Sequence, residues 1–331
     1  MLAMEDRWAA AKAALAHKAA ERADGAVGLL ARAGTLLTSG DATAAADLVR
    51  QAYAIDPWLH GALRLLLSAS RTPRRDVVHE RAEALIAAGF TATPILVHYL
   101  VSAAQLGRSD VVARMTRDFL RTDRLHGPDD PDLAELSAEL RHGLRHYAEP
   151  EQRSIRHGLR RDDLREGEGA PILRRMFERL RPVVDRYLAE LAHVAATDPT
   201  HPFLAGLPSR YRLGGWSVVS GADTHHLPHF HPMSWCNGVY YVEVPPVVAQ
   251  TERRAGWLHV GPPEDTESDF GDWEARWIQP EPGKIVLMPS YFHHRTVPLG
   301  VDQRRICVAF EIYPADSPVL ENPEFWTPVR S

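Results

Sequence analysis

From residue 211 onward the chain contains four runs of strand-forming residues with no helical pattern between them. These runs are 216–219, 238–244, 284–288 and 305–313, and clusters of proline and glycine separate them. Consecutive parallel strands need a long crossover, usually a helix, whereas antiparallel strands need only a turn. The sequence therefore predicts an antiparallel sandwich or jelly roll for this part of the chain, not a parallel α/β sheet.

The first 125 residues follow a different pattern, in which alanine, leucine and arginine dominate and apolar residues recur at helical spacing. They are predicted to form an all-helical domain over residues 1–125. Within it, Asp-Val-Val occurs at 76–78 and again at 110–112, a separation of 34 residues, and each copy begins a helix-like stretch. A looser third copy runs from Gly40 to Pro57, where proline prevents the helix from continuing.

A 34-residue period of paired helices resembles the tetratricopeptide repeat. Arrays of this kind present a concave surface, so the resemblance implies a docking platform for a peptide or protein. The alternative is a helical cap that stabilises the second domain or forms a homodimer. The sequence leaves both readings open.

Residues 126–170 are interpreted as a linker with short helices, because they begin with a Gly-Pro-Asp-Asp-Pro segment and carry a charged stretch over 156–168. Pro171 begins a longer predicted helix with an apolar stripe that is expected to pack against a sheet. The stripe consists of Ile172, Leu173, Phe177, Leu180, Val183, Val184, Tyr187, Leu188 and Leu191. The predicted fold class is thus α+β with two domains, tetratricopeptide-like repeats followed by a jelly roll with supporting helices over 171–331.

Of the 17 histidines, the pair in the segment Pro-His-Phe-His-Pro at 228–232 carries the clearest signal. On an extended strand, side chains two residues apart point to the same face, so the imidazoles of His229 and His231 can reach one metal ion. A third ligand must come from elsewhere in the fold. His294, which follows the strand predicted over 284–288, is the candidate.

The last predicted strand adds a cation to this region. Its alternation places Arg305, Cys307 and Ala309 on one face and larger apolar residues on the other. Arginine suits a carboxylate because its planar guanidinium forms two parallel charged hydrogen bonds. The three histidines and Arg305 together predict a metal site with an adjoining carboxylate site.

The segments that carry these residues resemble the 2-oxoglutarate/Fe(II) oxygenases related to prolyl hydroxylases. The resemblance rests on 228–242, 282–294 and 305–310, and it spans residues 209–314. Some members of that group carry tetratricopeptide repeats in front of the oxygenase domain. The resemblance implies a double-stranded β-helix and a hydroxylase that uses Fe(II), 2-oxoglutarate and O2 and releases succinate and CO2.

The same resemblance implies roles for individual residues. Fe(II) would be held by His229, His231 and His294, and 2-oxoglutarate would chelate the iron while its far carboxylate pairs with Arg305. The wider superfamily has a carboxylate, in a His-X-Asp/Glu pair, where this chain has His231. A third neutral imidazole would leave the iron more positive than two histidines and a carboxylate would.

Two readings of this departure stay open. Either His231 ligates and gives a three-histidine site, or it stands aside and water or Asp223 completes the shell; the spacing favours ligation. A halogenase is disfavoured, since that chemistry needs the position vacated for chloride. His293 could in principle replace His294, but the resemblance places the ligand at 294.

The alternative function is a three-histidine cupin-like metal dioxygenase, or a metal-binding module, that does not use 2-oxoglutarate. Arg305 distinguishes the two, because such proteins need no fixed arginine for a cosubstrate. A plain β-sandwich with surface histidines and a catalytically inactive scaffold are further alternatives.

Composition limits the partners. A net charge of −5 argues against nucleic acid as the main partner. No apolar run approaches the ~18 residues of a membrane helix, and the acidic N-terminus is unlike a signal peptide, so a cytoplasmic protein is expected. Cys236 and Cys307 are expected to be buried reduced thiols. The expected substrate is a peptide or protein side chain, docked on the helical repeats, or a small metabolite.

Two further expectations concern the surroundings of the site. Trp216, Trp235, Tyr240 and Tyr241 are close enough in sequence to the histidines to line a cavity, although aromatic residues of a sheet are more often core. The stretch 256–277 is long for a hairpin connection and contains several acids. It is either a solvated acidic loop, which is the preferred interpretation, or a lid that contacts a basic substrate.

Overall fold

The structure is a computed structural model that describes residues 25–56, 63, 66–67, 74–146, 154–263 and 269–321. Its helices occupy the N-terminal part and flank the sheets, and its strands follow from residue 121 onward. Among the described residues, no helix is both long and apolar enough to cross a membrane.

The N-terminal helices lie where the helical pattern predicts them. They are α1 Ala26–Ser39, α2 Ala42–Ile55, α3 Arg75–Ala87, α4 Thr93–Gln105 and α5 Ser109–Met115. The turn between α1 and α2 contains Gly40 in the left-handed region, and the Asp41 carboxylate accepts a hydrogen bond from the Ala44 amide at 3.0 Å. These two residues end one helix and begin the next, as such caps do in helical hairpins.

The two Asp-Val-Val copies both begin helices, but the helices differ in length. Helix α3 has 13 residues, whereas α5 has 7. Val112 and Met115 of α5 pack into the core around the sheets, while α3 packs with α1 and α2 in a separate hydrophobic cluster. The tetratricopeptide reading stays a prediction, and Pro57, which closes its third copy, lies outside the described residues.

The largest sheet has seven strands: β1 Arg121–Arg124, β2 Arg145–His146, β4 Leu159–Arg165, β5 Tyr211–Ser220, β7 Cys236–Glu243, β10 Lys284–Pro289 and β12 Arg305–Pro314. Their order in the sheet is β1-β10-β7-β12-β5-β4-β2, and every pairing in it is antiparallel. The four strand runs predicted from the sequence correspond to β5, β7, β10 and β12, which form the centre of this sheet. The prediction of antiparallel pairing is confirmed.

Two smaller sheets complete the β structure. One has the order β11-β8-β9, with β8 Leu258–Val260, β9 Arg276–Ile278 and β11 His294–Thr296. The other is a ribbon of β3 Ile155–Arg156 and β6 His225–His226. One cavity is lined by residues from all three sheets, so they face one another across it.

Three stretches differ from the sequence predictions. Residues 121–124, expected to be helical, form β1. The stretch interpreted as a linker with short helices contains the helix α6 Pro131–Leu140, in line with that interpretation, but it also contains the strands β2, β3 and β4, which were not predicted. Strands β8 and β9 pair within the stretch 256–277, so it is not one long loop. Strands β1, β2 and β4 have few apolar residues, and their partners across the sheet decide their conformation. The domain limits 1–125, 126–170 and 171–331 stay predictions.

Helix α7, Pro171–Thr197, supports the large sheet as its apolar stripe predicts. All the predicted positions except Leu188 are buried, and Leu188 packs against the same core. The Tyr187 hydroxyl, buried in this interface, donates to the carbonyl of Phe119 at 2.8 Å. Cys236 and Cys307 are both buried and unpaired, as expected.

Candidate metal and cosubstrate site

The segment that carries the histidine pair is extended but is not a regular strand. His229 forms an isolated antiparallel bridge with His294 at the start of β11, through amide-to-carbonyl hydrogen bonds of 3.0 and 2.9 Å. The amide of His231 donates to the carbonyl of Ser290 at 3.0 Å. Backbone hydrogen bonds alone therefore hold the segment of His229 and His231 in place against the segment that contains Ser290 and His294.

The three imidazoles meet at one point. Ligand atoms of His229, His231 and His294 lie within 4.8 Å of one another, and the ring centroids are 4.2 to 5.3 Å apart. His231 and His294 are buried, and His229 is half-buried. One metal ion can be bound by three nitrogens in such a cluster, with coordination positions left for other ligands.

Each of these imidazoles has an acceptor at its Nδ1 atom. Nδ1 of His229 lies 2.8 Å from the carbonyl oxygen of Leu227, and Nδ1 of His294 lies 3.0 Å from that of Phe292. Nδ1 of His231 lies 2.6 Å from the Glu311 carboxylate. A carbonyl can only accept, so Nδ1 carries the proton and Nε2 keeps its lone pair for a metal.

Burial keeps two of these rings neutral. It lowers the pKa of His229 and of His294 well below the usual histidine value, and the neighbouring histidines lower both pKa values further. A neutral imidazole is the form that binds a metal, so the site does not have to release protons from these two rings at neutral pH.

Other candidate ligands lie outside this cluster. His293 points away from it and packs against Phe230 and Trp273, and burial lowers its pKa to about 4. Asp223 is not among the clustered ligand atoms; its carbonyl oxygen lies 2.9 Å from Nδ1 of His225. Of the options left open by the sequence, the geometry brings together His229, His231 and His294.

Arg305 lies at the other end of the same cavity. It is 1% exposed, and its guanidinium donates to the carbonyl of Gly256 and to the Ser220 hydroxyl, the latter at 3.2 Å. Gly256 has φ +72°, and an added Cβ would lie 2.8 Å from Leu299, so glycine is needed to present this carbonyl. These two contacts orient the guanidinium and leave other N–H groups unused.

Three buried polar atoms that line the cavity have no hydrogen-bond partner among the described residues. They are Nε of Arg305, the hydroxyl of Tyr241 and Oδ1 of Asn237. An unpartnered buried polar atom costs roughly 1–3 kcal/mol, so this arrangement calls for a polar ligand. Arg305 and Tyr241 supply donors at one end, which suits a carboxylate, and the imidazole cluster supplies metal ligands at the other. The residues present thus fit both Fe(II) and 2-oxoglutarate.

The cavity has a volume of roughly 590 Å³ including its open mouth. Its walls are mostly apolar, with Val218, Val239, Leu258, Met288 and Ala309 between the two polar ends. The predicted alternation of β12 holds, because Arg305, Cys307 and Ala309 all line the cavity.

Of the four predicted aromatic candidates, Trp216 and Tyr241 line the cavity, whereas Trp235 and Tyr240 do not. Trp216 stacks on His231 with ring centroids 5.6 Å apart, and the guanidinium of Arg160 lies 4.1 Å from its ring. Trp235 stacks on Phe203, and the Tyr240 hydroxyl is hydrogen-bonded to His126. Arg160 was not predicted from the sequence to line the site, since its strand β4 has no apolar alternation.

Glu311 was also missed, although the alternation of β12 puts it on the same face as Arg305.

The acidic loop residues 264, 265 and 267 lie outside the described residues. Asp272 accepts from the Ser109 hydroxyl at 2.6 Å, so this acid contacts the helical region.

A second group of possible metal ligands, His126, Asp130 and Asp132, lies at the start of α6. Both carboxylates are already paired with Arg179, at 3.2 Å each, and Asp132 is also paired with Arg175. These guanidinium groups neutralise the acids, so the cluster is an ion-pair network and not a cation site.

Residues 214–311 match the model of a protein family described as "Putative 2OG-Fe(II) oxygenase". The matched segment runs from β5 to β12 and contains the three clustered histidines, Arg305 and Glu311. It covers less than a third of the chain, so the match describes the segment that holds the site and not the whole chain.

Curated relatives match only over a short stretch. Over 44 residues the chain is 54% identical to the glucose-6-phosphate isomerases of Pyrococcus horikoshii and Pyrococcus abyssi. The stretch is 13% of this chain, and the chain spans about a fifth (22%) of the length of these relatives. So short a match assigns no isomerase activity.

Several solved structures resemble the protein at low identity. A Pseudomonas putida prolyl-4-hydroxylase is 15% identical, with 62% of this chain and 97% of that chain covered and a TM-score of 0.37. HygX from Streptomyces hygroscopicus, with nickel, 2-oxoglutarate and hygromycin B bound, is 16% identical, with 64% and 87% covered and a TM-score of 0.40. A Trichoplax adhaerens prolyl hydroxylase in complex with a peptide fragment of hypoxia inducible factor is 10% identical, with 68% and 96% covered and a TM-score of 0.41. At these scores the similarities carry no weight for fold or function.

Proposed function

We propose that residues 214–311, which match the model of the putative 2OG-Fe(II) oxygenase family, form a 2-oxoglutarate- and Fe(II)-dependent oxygenase domain, and that the protein hydroxylates a C–H bond of a peptide or protein side chain or of a small metabolite. Its cosubstrates are 2-oxoglutarate and O2, and its co-products are succinate and CO2. We infer further that the sheets form a double-stranded β-helix and that the protein works in the cytoplasm, where its two buried cysteines stay reduced.

One observation carries the proposal: a cluster of three imidazoles and a buried arginine with unused donors face the same cavity. His229, His231 and His294 would hold Fe(II) through their Nε2 atoms. Arg305 would pair with the far carboxylate of 2-oxoglutarate, and the Tyr241 hydroxyl would donate to the same carboxylate. A three-histidine dioxygenase without 2-oxoglutarate is not favoured, because it would leave Arg305 without a ligand.

An Fe(II) ion held by the three histidines would supply the redox chemistry by which O2 oxidises 2-oxoglutarate to succinate and CO2 and the substrate C–H bond to C–OH, with one oxygen atom going into each product. The chain's own contribution is positioning. The bridge between His229 and His294 fixes two ligands on one rigid backbone unit, and the Nδ1 acceptors hold each ring in the orientation that metal binding needs.

The apolar wall between the metal cluster and Arg305 has a second role. Val218, Leu258, Met288 and Ala309 provide no strong hydrogen-bonding side-chain group, so water is poorly held against this part of the wall. Exclusion of water strengthens the charge pairing at Arg305 and protects a reactive centre from side reactions. The open mouth, with Arg160 and Trp216 at its wall, is where the substrate would enter.

The helical region is a candidate second binding surface for the substrate. We propose that helices α1 to α4 dock a peptide or protein substrate, which their predicted repeat character supports. A cap on the oxygenase domain or a homodimer contact remains the alternative role.

The test is an anaerobic titration of the Fe(II)-loaded protein with 2-oxoglutarate, in which the visible charge-transfer band of the chelated metal is recorded. Wild type is expected to develop the band, and His294→Ala is expected to lose it together with metal binding. His293→Gln is the matched control, since it alters a neighbouring buried histidine that lies outside the cluster.

The outcomes separate the two candidate functions. If iron binds but no band forms at any 2-oxoglutarate concentration, the three-histidine alternative replaces the proposal. If His293→Gln loses metal and His294→Ala keeps it, the ligand assignment is wrong. A positive result justifies screening peptides and metabolites for succinate release.

A further inference from the structure

The three clustered histidines differ in what holds their Nδ1 atoms. His229 and His294 are held by neutral backbone carbonyls, whereas His231 is held by the carboxylate of Glu311 at 2.6 Å. Only one of the three rings is therefore bonded to a negative charge. This ring belongs to His231, the residue that stands where the wider superfamily has a directly ligating carboxylate.

Glu311 is buried in a setting that offers it donors. It is 7% exposed, and the Tyr313 hydroxyl donates to its Oε2 atom. The Ser234 hydroxyl lies 3.3 Å from Oε1, on the side where His231 also binds. Every one of these partners can donate a hydrogen bond to the carboxylate, which is the arrangement that an ionised carboxylate needs.

In the part of the chain that the structure describes, the carboxylate has no guanidinium or ammonium partner. Among the described residues, His231 is the one group with which Glu311 forms an ion pair. A buried charge is costly unless a positive group lies near it. With the imidazole as its one ion-pair partner among the described residues, Glu311 needs a positive charge on the far side of that ring, which is where the metal would lie.

We propose that Glu311 supplies the negative charge of the metal centre through His231. In a site of two histidines and one carboxylate, a directly bound carboxylate supplies this charge; here it would act through the imidazole that lies between it and the metal. The proposal rests on the proposed function for the identity of the metal. A divalent ion with three neutral imidazoles has a net charge of +2, and the carboxylate behind His231 reduces the charge of the whole unit to +1.

This arrangement makes Glu311 a positioning residue for the centre. A carboxylate that accepts the Nδ1 proton makes the imidazole more basic at Nε2 and strengthens its bond to the metal. It also fixes the ring plane, which the stacked Trp216 ring supports from one face. Loss of the charge should therefore weaken metal binding even where the fold and the three nitrogens are kept.

The experiment is a titration of the metal-free protein with Co(II), followed by the visible absorption of the bound ion, in wild type, Glu311→Gln and Tyr313→Phe. Glutamine keeps the size of the side chain and an acceptor oxygen for Nδ1, but it removes the charge. Glu311→Gln is expected to lower Co(II) affinity by roughly 10- to 100-fold. Tyr313→Phe, which keeps the carboxylate, is expected to lower the affinity by less.

A second readout responds to the charge and not to folding. In the anaerobic Fe(II) and 2-oxoglutarate complex, Glu311→Gln is expected to move the charge-transfer band to shorter wavelength, because a weaker imidazole donor makes the metal harder to oxidise. The double variant His231→Asp/Glu311→Gln returns a carboxylate to the direct position and should regain Co(II) affinity over Glu311→Gln. This rescue also keeps the test open to refutation if the single variant folds poorly.

The outcomes for this inference and for the function are distinct. Equal Co(II) affinity in wild type and Glu311→Gln, with a lower melting temperature in the variant, would overturn the inference and leave the oxygenase proposal intact. Failure of the double variant to exceed Glu311→Gln would count against it in the same way. A wild type that binds Co(II) but not 2-oxoglutarate would refute the proposed function and leave the role of Glu311 standing.

Discussion

Replacement of Arg305 by glutamine separates binding of the far carboxylate from binding of the metal. The guanidinium has an unpartnered Nε–H and uses one N–H each for Gly256 and Ser220. It can therefore give the carboxylate two charged hydrogen bonds, each contributing about 1.5–3 kcal/mol. Glutamine keeps at most one neutral donor, so a net loss of about 3 kcal/mol is expected, which corresponds to roughly a hundredfold weaker 2-oxoglutarate binding.

The assay compares two 2-oxo acids with the Fe(II)-loaded protein under anaerobic conditions. 2-Oxobutyrate has the same metal-chelating end as 2-oxoglutarate but lacks the far carboxylate. Arg305→Gln should lower the affinity for 2-oxoglutarate by about a hundredfold, while the affinity for 2-oxobutyrate should change little, which makes the pair a double-mutant cycle. Ser220→Ala, which removes one orienting contact and keeps the charge, is the matched control and should show a much smaller loss.

The assignment of Arg305 to the far carboxylate is wrong if Arg305→Gln lowers the affinity for both 2-oxo acids by the same factor. That result would mean that Arg305 supports the cavity as a structural residue and that the far carboxylate is bound elsewhere. Unchanged 2-oxoglutarate affinity in a folded Arg305→Gln variant would refute the assignment of the carboxylate site outright.

Substitution of Gly256, a change of pH and removal of the metal should each change the stability of the protein. Gly256→Ala puts a Cβ at φ +72° against Leu299, so it should destabilise the protein by about 1–2 kcal/mol and weaken 2-oxoglutarate binding; unchanged melting temperature and affinity would contradict this. The metal-free protein should lose stability as pH falls below 6.5, since burial lowers the pKa of several histidines in the folded state, His201 and His293 among them, and the unfolded chain then binds more protons; melting temperatures at pH 7.5 and 5.5 test this, and His201→Gln should reduce the difference in part. Removal of the metal by a chelator should lower the melting temperature, with the loss reversed by Fe(II) or Co(II) in wild type but not in His294→Ala.

The central strands and the histidine motif could be predicted from sequence because local patterns specify them. Strands β5, β7, β10 and β12 are rich in β-branched and aromatic residues between turn signals, and a two-residue spacing brings paired side chains to one face wherever the chain is extended. That is why His229 and His231 converge although their segment is not a regular strand.

The peripheral strands could not be predicted in this way. β1 reads Arg-Thr-Asp-Arg and β4 reads Leu-Arg-Arg-Asp-Asp-Leu-Arg, and neither shows an apolar alternation. Their conformation is set by hydrogen bonds to β10 and β5, which are distant in sequence. Such non-local pairing overrides local propensity.

The carboxylate behind the metal cluster was predictable in part. Glu311 follows Arg305, Cys307 and Ala309 at the same two-residue spacing, so its face could have been read from the sequence. Its hydrogen bond to His231 could not, because 80 residues separate the two and only the folded sheet brings them together. The same limit applies to Tyr241, whose unpartnered hydroxyl is apparent only in the folded cavity.

Strand β1 and helices α4 and α5 bear on how such a chain can exchange parts during evolution. β1 forms the outer edge of the large sheet beside β10, and Leu100, Met115 and Phe119 belong to the core that surrounds the site. A recombination that joined a foreign helical segment at residue 125 would expose the edge of β10, and an open edge invites aggregation. A recombination point before Thr93 would keep both the pairing of β1 with β10 and the core residues of α4 and α5. Descendants that replaced their N-terminal helices are therefore expected to have inherited α4, α5 and β1 together with the oxygenase domain.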